Sequence, residues 1–191
     1  NGKIGNWREN EEYLRGNQLY KKKVGIIGFG RIGSNVAKYA AAFGMDVNAY
    51  DPYKRIKTKK VKQYNNISDM LKVCDAIIIS IHLNKKNHQF FDNQKFKDLK
   101  KNVILINTSR GEIINENALI KNFKRKKIKF FAADVVHNEH ELPLKKSKIF
   151  TIASSKNVNI TPHMAGLTYE SEEIAANIAI KNLDIFFKNE K

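Results

Sequence analysis

An α/β domain built on a doubly wound parallel sheet is the fold class this sequence predicts, and three observations predict it. Short apolar runs rich in Val and Ile recur along the chain, segments with helical spacing separate them, and a glycine cluster joins the first run to the first such segment. The chain has 191 residues and 42% hydrophobic content, enough for one well-filled domain with short extensions and too little for two.

The strand-like runs are KVGIIG (23–28), DVNAY (46–50), DAIIISI (75–81), NVILINT (102–108), KFFAADVV (129–136) and NVNIT (157–161). Being apolar on both faces, they suit strands covered by helices on both sides. The first helix is expected over SNVAKYAAAFG (34–44), with Gly44 at its C-terminal end, and another over NENALIKNFKRKK (115–127), capped by Asn115. A last helix is expected over 168–187, with apolar positions at Ile174, Ala175, Ile178, Ala179 and Leu183. Its opening acids, Glu170, Glu172 and Glu173, suit the helix dipole. Strand alternating with helix implies right-handed crossovers. Residues 1–20 are expected to be a connecting segment, and 21–187 the domain.

Composition narrows the function classes. Cys74 is the single cysteine, so no disulfide forms within the chain and a reducing cytoplasm is expected. No apolar run approaches the ~20 residues of a membrane span, and residues 1–20 lack the apolar core of a signal peptide, so no membrane partner is expected. A net charge of +16 raises the question of nucleic acid, but the lysines are dispersed. A solvated basic surface comes first, a field attracting an anionic cofactor and acidic substrate second, and nucleic acid a distant third.

In GFGRIG, Gly28, Gly30 and Gly33 have G-x-G-x-x-G spacing, between an apolar strand and a helix, and Asp51 follows the first glycine by 23 residues at the end of the second strand. That context makes the pattern a dinucleotide site and the sheet Rossmann-type. Gly28 allows the tight turn, Gly30 lets a pyrophosphate reach the backbone, and Gly33 lets helix pack on strand. The helix N-terminus offers N–H groups to the phosphates. Asp51 accepts the adenosine ribose hydroxyls and repels a 2′-phosphate, favouring NAD over NADP, with Lys54 and Arg55 nearby as opposing charges. The alternative is a structural glycine turn with Asp51 capping a loop.

Three further residues lie just past strand ends: Arg110 after 102–108, Glu139 after 129–136, and His163 after 157–161. Parallel strands deliver such residues to one rim, where ligands of open α/β sheets bind. A guanidinium grips a carboxylate and polarises the neighbouring carbonyl, a histidine handles the proton, and a carboxylate orients that histidine. Singly, Arg110 suits an exposed surface, Glu139 an acid and histidine run, and His163 a turn after Pro162.

GIIGFGRIG, AYDP, INTSRGE, ADV and TPHMAG, in that order and at those separations, resemble the NAD-binding domain of the D-isomer-specific 2-hydroxyacid dehydrogenases, from about Trp7 to the last helix. The resemblance implies an oxidoreductase using NAD on a small 2-oxo or 2-hydroxy acid, with Arg110 on the substrate, His163 as acid and base, and Glu139 paired with His163. It implies backbone contacts of Arg31 and Ile32 with the pyrophosphate, and places Thr108, Ser109, Asp134 and Gly166 with the nicotinamide end. The sequence departs from the family at HLNKKNHQFF, where Asn84 and Asn87 stand in place of the usual Pro and Thr pattern around His82, and at DVVHNE, where His137 replaces an acid. The resemblance also implies a homodimer, and a substrate domain built from an N-terminal portion plus the C-terminal end. Most of that domain is expected to lie outside this chain, as in a fragment; a reduced homologue is the alternative. A cofactor-dependent sensor or corepressor of the same fold, without significant turnover, is the second functional reading.

Overall fold

The computed structural model describes residues 12, 15–141 and 147–189, so most of the expected connecting segment lies outside the described residues. Seven strands form one sheet: β1 (Lys23–Ile27), β2 (Asp46–Tyr50), β3 (Val61–Gln63), β4 (Ala76–Ile79), β5 (Val103–Asn107), β6 (Ile128–Ala133) and β7 (Val158–Ile160). Their order is β3-β2-β1-β4-β5-β6-β7, parallel at every pairing. The chain winds outward from β1 through β2 and β3, then returns to β4 and winds the other way. The crevice at this reversal is where open α/β sheets bind ligands.

The helices are α1 (Arg31–Ala42), α2 (Ile67–Leu71), α3 (Asn93–Asp98), α4 (Glu116–Lys124) and α5 (Tyr169–Asn189). Alternation along β1 sends Val24 and Ile26 to one face, with Ala37 and Ala40 of α1, and Ile27 to the other. That second face is the larger core, where Ile77, Leu105 and Phe131 of the sheet meet Met70 of α2, Phe96 of α3 and Leu119 of α4. Helices thus cover both faces, as the two-sided apolar strands require.

Several boundaries differ from expectation. Helix α1 starts at Arg31 rather than residue 34, so the last of the three clustered glycines lies inside it. It stops where Gly44, at φ +73°, sends its N–H and that of Met45 back to Ala41 and Ala40. Asn115 caps α4 by accepting from the Ala118 N–H at 2.9 Å, but the helix ends at Lys124 because Lys126 turns to φ +58°. The strand β3 and the helices α2 and α3 were not expected; they are three, five and six residues long, too short for a periodic pattern.

Helix α5 follows the expected span, and among the described residues its apolar positions Ile174, Ile178, Ile180, Leu183, Phe186 and Phe187 are all exposed. No helix among the described residues is long and apolar enough to cross a membrane.

Candidate active site

The turn after β1 is shaped by space. Gly28 has φ +88°, and a Cβ there would stand 2.5 Å from the Ser80 carbonyl oxygen. A Cβ on Gly33 would collide with the Gly28 carbonyl, so only glycine lets α1 start this close to the strand. Gly30 is different: a Cβ there would meet nothing within 4 Å and would project into open space. As the N-cap of α1 it brings no side-chain cap, and no acid occupies the first turn. The leading N–H groups, those of Arg31 and Ile32 included, therefore face outward at the positive end of the helix dipole.

Beside this turn lies a cavity of 390 Å³ lined by Gly28, Gly30, Asp51, Ser80, His82 and Lys86, among others. The Ser80 hydroxyl oxygen in its wall is buried with no hydrogen-bond partner among the described residues. An orphaned hydroxyl, an open glycine and an uncapped helix end together fit a phosphate-bearing dinucleotide. Asp51 ties the cleft's two sides together, accepting from the Phe29 N–H at 2.8 Å through one oxygen and from the Tyr53 N–H at 2.9 Å through the other. Each oxygen keeps a lone pair for a ribose hydroxyl.

Farther along the same sheet edge, buried Asn107 at the end of β5 shapes the turn that carries Arg110. Its amide donates to the Arg110 carbonyl at 2.9 Å, and its oxygen accepts from the Ser109 N–H at 3.1 Å. The Ser109 hydroxyl donates to the Ile79 carbonyl of β4 at 2.8 Å, while Thr108 is exposed. Gly111 lies against the Val136 and His137 backbone with no room for a Cβ, and Glu112 accepts from the Asn138 N–H at 3.0 Å. The loops bearing Arg110 and Glu139 are thereby joined. The Arg110 guanidinium folds back to donate to the Ser109 carbonyl at 2.6 Å and touches neither Glu139 nor His163.

Glu139 and His163 do meet. The His163 Nδ1 and a Glu139 carboxylate oxygen are 2.7 Å apart, with the Glu139 side chain 13% exposed and that of His163 45% exposed. The same oxygen stands 3.7 Å from His140, which is almost fully exposed. His163 holds φ +54°, a left-handed backbone unusual outside glycine. Asp134, buried at the end of β6, clamps this turn: one oxygen accepts from the Thr161 hydroxyl at 2.5 Å and the Met164 N–H at 2.9 Å, the other from the Ala165 N–H at 2.9 Å. Burial pushes the Asp134 carboxyl up, but these hydrogen bonds and the nearby His163 outweigh it and hold the group below its ordinary value. Gly166 lies on the exposed continuation of the turn, its carbonyl accepting from the Ser171 hydroxyl.

Sequence reasoning overlooked Ser80, Asn107, Glu112 and the turn after β4. There Asn84 and Asn87 close a tight loop: the Asn87 side-chain oxygen accepts from the Asn84 N–H at 2.7 Å and its amide donates to the His82 carbonyl at 2.5 Å. An Asn-x-x-Asn spacing after an apolar run is the signal for such a turn. The departure from the family pattern thus keeps His82 on the cleft wall and adds Lys86 beside it.

Comparison with known proteins agrees with this geometry. Residues 2–165 match the family model described as D-isomer specific 2-hydroxyacid dehydrogenase, NAD binding domain. A D-3-phosphoglycerate dehydrogenase of Methanocaldococcus jannaschii is 34% identical over 98% of this chain and 35% of its own length. A glyoxylate reductase of Thermococcus litoralis is 34% identical over 97% of this chain and 56% of its own. Among solved structures, a D-lactate dehydrogenase from Aquifex aeolicus, complexed with NAD and lactic acid, superposes with a TM-score of 0.83 at 32% identity, covering 95% of this chain and 60% of that one. The chain therefore spans little more than half the length of such relatives, or less. With the glycine turn, the strand order and the family match in agreement, this chain belongs to the NAD-binding domains of the D-isomer-specific 2-hydroxyacid dehydrogenases.

Proposed function

We propose that this domain serves an NAD-dependent oxidoreductase that interconverts a small 2-oxo acid and its D-2-hydroxy acid. The observation that carries the reading is the 2.7 Å contact between Glu139 and His163 on the sheet edge that also holds the glycine turn. Bound NAD supplies the two-electron exchange at the substrate's C2. Gly28 to Gly33 would hold its phosphates, Asp51 its ribose, and His82, Thr108, Ser109, Asp134 and Gly166 its nicotinamide end.

Glu139, accepting from Nδ1–H, leaves Nε2 of His163 to exchange a proton with the substrate oxygen. Arg110 turns from the Ser109 carbonyl to grip the substrate carboxylate with its planar fork and polarise the carbonyl beside it. The protein works in the cytoplasm, in line with its buried free Cys74, whose thiol burial pushes up to about 12. The family resemblance supports a homodimer, which sedimentation of the complete protein tests.

The deciding experiment uses the complete protein with a panel of 2-oxo acids and NADH. His163→Ala should lower kcat by about 10²–10⁴-fold while the NADH Kd stays within about twofold. Unchanged turnover removes His163 from the reaction. NADH binding without turnover of any acid on the panel favours the sensor.

A further inference from the structure

At the sheet edge opposite the dinucleotide cleft, where the strands begin, lies a groove of 610 Å³. It crosses the starts of three neighbouring strands: Asn102 precedes β5, Lys126 and Ile128 stand at the start of β6, and Asn157 precedes β7. The dinucleotide belongs where strands end, so this groove has no part in holding it. We propose that the groove is a second ligand site, for a small molecule that joins a polyphosphate to a planar or apolar body, as a nucleoside triphosphate does.

The charge of the groove has one sign. Lys124, Lys126 and Lys129 stand in its wall, and no residue of that wall is acidic. None of the three has a carboxylate partner among the described residues. Lys127, between them, is committed elsewhere: its ammonium donates to the Lys97 carbonyl. Lysines at the end of a helix ordinarily answer its exposed carbonyls. At the end of α4 those carbonyls are already taken, Lys121, Asn122 and Phe123 accepting from the N–H groups of Arg125, Lys127 and Lys126 at 3.2, 3.0 and 2.9 Å. To close the helix this way Lys126 adopts φ +58°, a position that glycine fills without strain. Three like charges left without an acid repel one another, and a polyanion relieves that repulsion while pairing with each.

The rest of the wall divides into an apolar part and a polar part. Buried Ile128 and Ile152 and half-buried Phe123 supply the first. The side chains of Asn102, Ser154 and Asn157 supply the second, and none of them has a hydrogen-bond partner among the described residues. Their amides and hydroxyl are free to donate to phosphate oxygens, while the aliphatic and aromatic surface favours a ligand with more than phosphate in it. The loop that carries Ser154 is held in shape: the N–H groups of Ile152, Ser155 and Val158 donate to the carbonyls of Ile149, Ile152 and Ser155 at 3.0, 3.0 and 2.9 Å. Preorganisation of this kind lowers the ordering cost of binding.

Calorimetric titration of this chain with ATP, in saturating NADH so that the dinucleotide cleft is filled, tests the proposal, with inorganic triphosphate as the probe that lacks a planar body. ATP should bind at least fivefold more tightly than triphosphate. Lys124→Ala/Lys126→Ala/Lys129→Ala should weaken both at least tenfold. Ser154→Glu, which adds an acid at an exposed position of the rim, should weaken ATP at least fivefold, and NADH should stay within twofold in both variants. Lys57→Ala/Lys59→Ala/Lys60→Ala removes the same charge at the other edge of the sheet and should leave ATP within twofold. ATP that does not bind the NADH-saturated chain overturns the groove, as does an equal loss in the two triple variants or equal affinity for ATP and triphosphate. Failure of NADH to bind overturns the dinucleotide reading alone, and the groove is then decided by ATP titration of the two triple variants without NADH.

Discussion

His163 sits at φ +54°, a conformation that costs a non-glycine residue on the order of 1–3 kcal/mol, and the Asp134 carboxylate on either side of it supplies the restraint. Asp134→Asn places an amide where a donor is already waiting. The loss should be on the order of 1–3 kcal/mol of stability at neutral pH. The pH dependence has a definite sign. Because the folded carboxyl lies below its ordinary value, it stabilises the fold above the unfolded pKa of about 3.9 and loses that contribution as pH falls through the lower folded value. The Tm of the natural chain should therefore drop more steeply below about pH 4 than that of Asp134→Asn; parallel curves would show that the clamp is not ionic. Asp75 and Asp92, also held below the ordinary range, act in the same window in both proteins and cancel in the comparison. At this scale the candidate residues were legible in the sequence, because Arg110, Glu139 and His163 each follow a strand. It did not show the residues that hold them. Asn107 acts through two side-chain hydrogen bonds inside its own turn and Glu112 through one to the backbone of another loop, and no spacing rule announces such contacts.

The strand, turn and helix around the glycines act as one element, in which two glycines have opposite reasons to be glycine. Gly33→Ala would drive a methyl into the Gly28 carbonyl and lever α1 from the sheet. Overpacking of this kind costs about 1–3 kcal/mol, or roughly 2–12 °C in Tm for a chain of this size. Gly30→Ala meets open space, so the Tm should move by no more than about 2 °C, while the methyl fills the phosphate cradle and weakens NADH about tenfold or more. Calorimetry and titration on the two variants separate the roles; a cofactor that tolerates Gly30→Ala lies elsewhere. The sheet's long central strands were legible because burial on both faces leaves an unbroken apolar run. Edge strand β3 was not, because Val61, Lys62 and Gln63 bury half a face and sit within a lysine-rich stretch. From it the Gln63 side chain holds the loop beyond Asp51, donating to the Lys54 and Asp51 carbonyls and accepting from the Ile56 N–H. Helix α5 was legible in extent but not in setting, since its pattern shows which positions are apolar and not what they face.

For the whole molecule the question is what a net charge of +16 does. In a parallel sheet all strands start at one edge and finish at the other. The Lys21 to Lys23 run leads into β1 and the Lys124 to Lys129 run into β6, both at the edge where strands begin. The Lys54 to Lys62 run follows the end of β2 and borders the cleft at the opposite edge. Among the described residues these runs are therefore split between two edges and form no single stripe of the kind that tracks a nucleic acid backbone. What remains is a general field with a concentrated patch beside the dinucleotide cleft. Such a field raises the local concentration of anions and fades as the Debye length shrinks from roughly 10 Å at 0.1 M salt to roughly 3 Å at 1 M. The Kd for NADH should accordingly rise several-fold between 0.05 and 0.5 M NaCl, at about the levels where screening sets in. Duplex DNA of unrelated sequence should bind no more tightly than the roughly 10⁻⁴–10⁻⁶ M of unspecific contacts at physiological salt. A salt-independent NADH Kd would confine the lysines to solvation, and DNA binding well below micromolar would mean that the two edges cooperate in a surface the sheet geometry argues against.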